Sequence, residues 1–201
     1  MKSRKKKKKV ETVEIKPGTL LMAKPFWDDD AYARSVVLIV NIVKDKVAGL
    51  IVNKMATVSI KDALPDINCT DYIYFGGLVE PSEISFLHTM SEMPDAGDMG
   101  GGLCVGGDAE RLVELSTLNN VDFSKVRFVA GRVEWTREML EKEIREDKWW
   151  PSTITAKELF DIDYDTLWSF KLLQAGHTYG LFAHIPDPSI KEKIADKFDK
   201  I

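Results

Sequence analysis

Cysteine and histidine are scarce in this sequence, and their scarcity removes several chemistries at the outset. Its two cysteines, Cys69 and Cys104, form no C-x-x-C and have no histidine close by. Neither a redox dithiol nor a zinc knuckle is spelled out, and two reduced thiols in a reducing compartment are expected. The three histidines, His88, His177 and His184, never take the H-E-x-x-H spacing that places two zinc ligands and a base on one helix face. No G-x-S-x-G elbow is present, and no glycine loop ends in the Lys-Ser/Thr of a P-loop. Long apolar runs are missing too. The longest strongly apolar stretch, residues 36–40, is far too short to cross a bilayer, and Glu11 and Glu14 stand where a signal peptide would be apolar. The expectation is a cytoplasmic protein with no membrane span, no metal and no cofactor.

Positive charge is also lacking, except at one end. The first nine residues hold seven cations, Lys2, Arg4 and Lys5 to Lys9, and no acid. Setting those seven aside from the 28 Lys+Arg leaves 21 against 32 Asp+Glu, a body of about −11. Such a body repels phosphate backbones, whereas nucleic-acid binders present a basic face. Nucleic-acid binding is disfavoured for the body. It is open only to the tail, Lys2 to Lys9, and there without sequence readout, since no aromatic residue is interleaved.

What is present suits one domain. The chain has 201 residues and 44% hydrophobic content, enough for a sizeable core. Residues 1–16 read as a basic disordered tail, 17–188 as an α+β domain and 189–201 as an amphipathic C-terminal helix with Ile190, Ile194, Phe198 and Ile201 on one side. Strands are expected at 19–23, 35–43, 47–52, 72–75, 84–88, 103–105 and 126–133, with a last one at 179–185. The pair 35–43 and 47–52, separated by Lys44-Asp45-Lys46, reads as a hairpin with both strands largely buried. Asp108 is placed to cap a helix carrying Leu112, Leu115 and Leu118 on one face, and a further helix is expected at 136–146. Thr155 with Glu158 spells a capping box, and Asp163 is placed to cap the helix after it. Residues 91–102, rich in Gly, Asp, Met and Pro, read as a loop.

Several short blocks in this order resemble the AlgH/YqgE family of bacterial proteins. They are Gly18-Thr19-Leu20-Leu21-Met22-Ala23-Lys24-Pro25, Tyr32 to Ile39 with Arg34-Ser35 inside it, Gly49-Leu50-Ile51-Val52-Asn53-Lys54, Phe75-Gly76-Gly77, Gly106-Gly107, and Gly131 with Trp135, Leu140, Glu141, Glu143 and Trp149. The resemblance covers roughly residues 17–175. It implies a small β-barrel-like mixed sheet flanked by helices, in a cytosolic protein labelled a transcriptional regulator. It supplies no catalytic residues. Asn41-Ile42-Val43 stands where many members have an acidic-His-Asn stretch, and Leu78 where they have a proline.

The remaining candidates come from position. Asp28, Asp29 and Asp30 read as a solvated loop, or as oxygen ligands for a hard cation without EF-hand spacing. Residues 97–102 read as a flexible loop or an anion cradle. Arg34, Ser35, Asn53 and Lys54 lie at the ends of the two central strands, where Gly76 and Gly77 could bring backbone close; with Trp135 and Glu141 they form the candidate patch for a ligand or partner. The functional reading is a non-enzymatic binding or regulatory protein acting through an unidentified protein or small ligand. The alternative is a small-molecule-binding protein or enzyme using that strand-end patch. No oligomeric state is legible.

Overall fold

The computed structural model describes residues 14–25 and 32–184, the side chains of 177–179 excepted. Its strands are β1 Leu20–Ala23, β2 Val36–Val43, β3 Lys46–Ile51, β4 Met55–Ser59, β5 Tyr72–Phe75, β6 Val79–His88, β7 Gly97–Gly100, β8 Leu103–Val105, β9 Val126–Thr136 and β10 Trp149–Ser152. Its helices are α1 Ile60–Ala63, α2 Ala109–Thr117, α3 Arg137–Arg145, α4 Ala156–Asp161, α5 Leu167–Gln174 and α6 His177–Ala183.

The strands form one sheet in the order β10-β1-β2-β3-β9-β6-β8-β7, with β5 joined to β9 and β4 to β5 as a branch. Every pairing is antiparallel except β5 with β9. The expected α+β class holds, but the barrel does not form. The sheet is open, because the long strand β9 divides its length among three neighbours. β3 pairs with its C-terminal part from Val133 to Thr136, β5 with Val129 and Ala130, and β6 runs along its other side. The sheet therefore branches at β9 instead of curling β10 round to β7.

Period-2 alternation sorts the side chains onto two faces. Leu20, Met22, Val36, Leu38, Leu50 and Val52 meet Leu159 of α4 and Leu167, Trp168 and Leu172 of α5 on one face. Leu21, Val37, Ile39, Val47 and Ile51 meet Trp135, Leu140 of α3 and Trp149 on the other. A third cluster packs Ile60 of α1 and Leu112 of α2 against Ile73, Phe86 and Phe128. Trp149 and Trp150, consecutive in β10, accordingly enter opposite clusters. Asp108 caps α2 by accepting from the amides of Glu110 and Arg111, worth about 1 kcal/mol. The capping box of Thr155 and Glu158 opens α4.

Several expectations are corrected. β4, α1 and β10 were not legible as elements, and β6 and β9 are longer than the apolar pattern suggested. Part of the Gly-rich stretch is a hairpin, β7 with β8, and not a loop. The run expected as a final strand is instead α6. Gly176, at φ 112°, turns the chain so that it folds back as a helix, and Phe182 and Ala183 pack against the first core. A short apolar run fits either period, and the tertiary turn decides. α5 is preceded by Thr166 at its N-cap, with no side-chain cap from Asp163. Leu118 lies at the end of α2 and is exposed. The basic tail through Val13, the three aspartates and the C-terminal amphipathic helix lie outside the described residues; Ile15 packs against the second core.

Candidate functional site

The ends of β2 and β3 away from their turn do come together, and a single asparagine binds them. Asn53 Oδ1 accepts from the Val36 amide at 2.7 Å, and its Nδ2 donates to the Arg34 carbonyl at 2.9 Å. This clasp holds Arg34 at φ 55° and stacks its guanidinium over Trp168, 4.9 Å from the ring centroid. Ser35 beside it is fully buried, and its hydroxyl has no hydrogen-bond partner. Gly76 and Gly77 lie against β9 so closely that a Cβ on either would come within 2.2 Å of the Gly131 or Arg132 carbonyl oxygen. Their missing side chains are what allow the parallel β5–β9 pairing.

The structure does not bring Trp135 and Glu141 to this point. Trp135 sits in the second core, where its indole N–H and that of Trp149 donate to one oxygen of Glu143, at 3.0 and 2.7 Å. Glu141 is on the exposed side of α3, 3.8 Å from Arg145. Of the eight candidates, Asn53, Gly76 and Gly77 are structural fastenings in this conformation.

Other buried polar groups are similarly engaged. His88 is fully buried, with Nε2 donating to the Gly106 carbonyl at 2.8 Å and Nδ1 accepting from the Met90 amide at 3.1 Å, and burial pushes its pKa down. Arg127 donates to the carbonyls of Val52 and Leu159 and stacks on Tyr74, and burial lowers its pKa. Lys171 pairs with Glu158 and Gln174 between α4 and α5. Among the described residues, no group of three or more His, Cys, Asp or Glu is placed to hold a metal ion.

An open concavity of about 270 Å³ lies at the opposite end of the same strands, lined by Val40, Asn41, Val43, Lys46, Ala48, Arg132 and Glu134. It follows from local irregularities. A register shift at Val40 separates the pairs Ile39–Gly49 and Asn41–Ala48. Beyond it β2 alternates between half-buried and exposed positions, so the expectation that both strands are largely buried fails near the turn. On β6, the six residues from Val79 to Ile84 oppose only three on β9, Arg132 to Ala130. This bulge, with Glu80 at φ 47°, brings two carboxylates onto Arg132. Arg132 donates to Glu134 at 2.7 Å and Glu83 at 2.6 Å and also pairs with Glu80. Those bonds, Glu134's foremost, raise its pKa further, and the bond to Arg132 lowers that of Glu80. Sequence reading missed this cluster because the bulge that assembles it is tertiary; the alternation Arg132-Val133-Glu134-Trp135 was its only local sign.

Comparison with known proteins gives a consistent answer. A UPF0301 protein of Bacteroides thetaiotaomicron is 27% identical over 182 residues, spanning 89% of this chain and 93% of that one. UPF0301 protein CT0663 of Chlorobaculum tepidum is 29% identical over 175 residues, spanning 86% and 94%. The crystal structure of protein DIP2367 from Corynebacterium diphtheriae superposes with a TM-score of 0.73 at 18% identity, covering 86% of this chain and 94% of that one. The solution structure of the AlgH protein from Pseudomonas aeruginosa gives 0.66 at 20%, covering 85% and 94%. These two likenesses show the fold. The model of the AlgH-like family (DUF179) matches residues 20–180, and with that span of the chain accounted for, the protein belongs to the AlgH-like family.

Proposed function

We propose that this chain is a binding protein with a regulatory role exercised through contact with another protein, and that the open face of β2, β3 and β9 receives a partner segment. One observation carries this reading: the concavity combines an apolar floor with Glu134 and with Arg132, which two further carboxylates, Glu80 and Glu83, also bind. Val40, Val43 and Ala48 supply the floor, and Val43 is 56% exposed. Glu80, Glu83 and Glu134 surround Arg132, and Lys46 stands at the side. Three carboxylates against two cations leave acceptor capacity to spare, since each carboxylate oxygen takes more than one donor. The segment that fits presents an apolar side chain next to a lysine or arginine. Direct DNA binding by this face is opposed by its sign.

The test uses fluorescent heptapeptides in which leucine alternates with lysine or arginine, and matching peptides with glutamate. The basic peptides should bind, weaken with added salt, and lose about tenfold or more in affinity on Glu134→Lys or Val43→Asp. Equal affinity for the acidic series, or binding unmoved by both substitutions, overturns the proposal.

A further inference from the structure

On the reading of the concavity given above, we propose that it is occupied in cis by the chain's own basic run, Lys5 to Val10, which an incoming partner must displace. The chain joins the sheet at the concavity's own end. The Gly18 amide donates to the Ile39 carbonyl at 2.8 Å, and the next residue of β2, Val40, lines the concavity. A turn closed by the Thr19 amide on the Lys16 carbonyl at 2.9 Å leads back to Ile15, which packs against the second core as Ile42 of β2 does. Thirteen residues of the sequence precede Glu14, where the described residues begin.

That length is sufficient. Val47 and Trp135 belong to the second core, so their neighbours Lys46, Ala48 and Glu134 face the other side of the sheet, where the concavity opens. From Ile15 the chain has to round the edge of β2, which has no strand partner on the β1 side beyond Ile39 among the described residues. A sheet with its side chains is about 10 Å thick, and the two steps from β2 across β3 to β9 add about 10 Å. Lys9 is six residues from Ile15 and extends about 20 Å, and Lys5, ten residues away, about 33 Å.

The composition of the run fits the site. An apolar side chain beside a lysine is what the concavity calls for, and Lys9-Val10 is such a pair, preceded by four more lysines. Glu134 in the wall, and Glu80 and Glu83 on Arg132, keep acceptor positions for them. The first nine residues carry seven cations and no acid against about −11 on the rest of the chain, so the field of the body draws the run inward. A short tether supplies an effective concentration of about 1 mM. A contact with a Kd of about 0.1 mM in trans then leaves the concavity open in about one molecule in ten and weakens a partner about tenfold.

The test compares the full wild-type chain with a full chain in which Lys5 to Lys9 are all replaced by glutamine, using the alternating leucine–lysine heptapeptide as probe. At about 0.15 M salt the Debye length is about 8 Å, so the change in net charge alone is largely screened. The glutamine chain should bind the peptide about tenfold more tightly than the wild type. Val10→Ser, which alters no charge, should tighten binding about threefold. Carbodiimide coupling of the wild type, which joins a lysine Nζ to a carboxylate, should link Lys5 to Lys9 with Glu134, Glu80 or Glu83 of the same molecule, in preference to Glu110 and Glu114, exposed on α2. Excess peptide should suppress those links. Peptide binding of equal strength by the wild-type and glutamine chains overturns cis occupancy and leaves the concavity's partner reading standing, as do links spread evenly over the glutamates or formed between copies. No peptide binding by the glutamine chain overturns both.

Discussion

Replacing Asn53 by alanine should destabilise the fold by about 2–4 kcal/mol. The side chain is 8% exposed and makes two bonds, one from the Val36 amide and one to the Arg34 carbonyl. Val36 is fully buried, so its N–H has no water to turn to. An unpaired buried donor costs about 1–3 kcal/mol, and the second bond adds roughly 1 kcal/mol. In a chain of this size each kcal/mol lowers Tm by about 2–4 °C, giving a fall of roughly 4–16 °C. Urea unfolding followed by tryptophan emission measures it directly, since Trp168 stacks under Arg34 in the clasped segment. Asn53→Leu separates the hydrogen bonds from packing. It keeps the volume and removes both polar contacts, and should fall as far as the alanine variant. If Asn53→Leu stays within about 0.5 kcal/mol of the wild type, the clasp contributes nothing through its hydrogen bonds and the reasoning is refuted.

Two further outcomes test the described packing. Gly76→Ala should lose several kcal/mol or fail to accumulate, because the added Cβ would lie 2.2 Å from the Gly131 carbonyl oxygen and 2.5 Å from Val129 Cγ1; a stable, soluble variant with unchanged urea midpoint would show that β5 does not pair this closely with β9. His88 is held neutral by burial, with its folded pKa below the ordinary 6.5. The unfolded chain therefore binds the proton first as pH falls, so stability is fully present above about 6.5 and declines below it until the folded pKa is reached. Urea midpoints at pH 7 and pH 5 should differ less in His88→Gln, whose amide can replace both bonds; an unaltered pH dependence would remove His88 from the acid response.

The AlgH-like fold was legible in part. Local chemistry announces what it controls locally: Asp108 and the Thr155–Glu158 box cap the helices they were read to cap, and the β2–β3 hairpin forms around Lys44 and Asp45. Elements that depend on a neighbour were not legible. β4 has no charge, no sustained apolar run and a broken register, and it is a strand only because β5 lies beside it. The last apolar run becomes α6 because Gly176 turns it onto α5.

The candidate patch divides along the same line. Sequence adjacency correctly brought the two strand ends together, but alternation sent Trp135 to the opposite face and helix phase put Glu141 on an outer surface. By itself, the sequence determined the family, the α+β class, the acidic body and the caps, because composition and short-range hydrogen bonding are properties of neighbours in the chain. The open sheet, the carboxylate collar on Arg132 and the broken register of β4 were decided by tertiary structure alone. Each depends on a bulge, a register shift or a branch point at β9, where residues distant in sequence share the same backbone donors and acceptors.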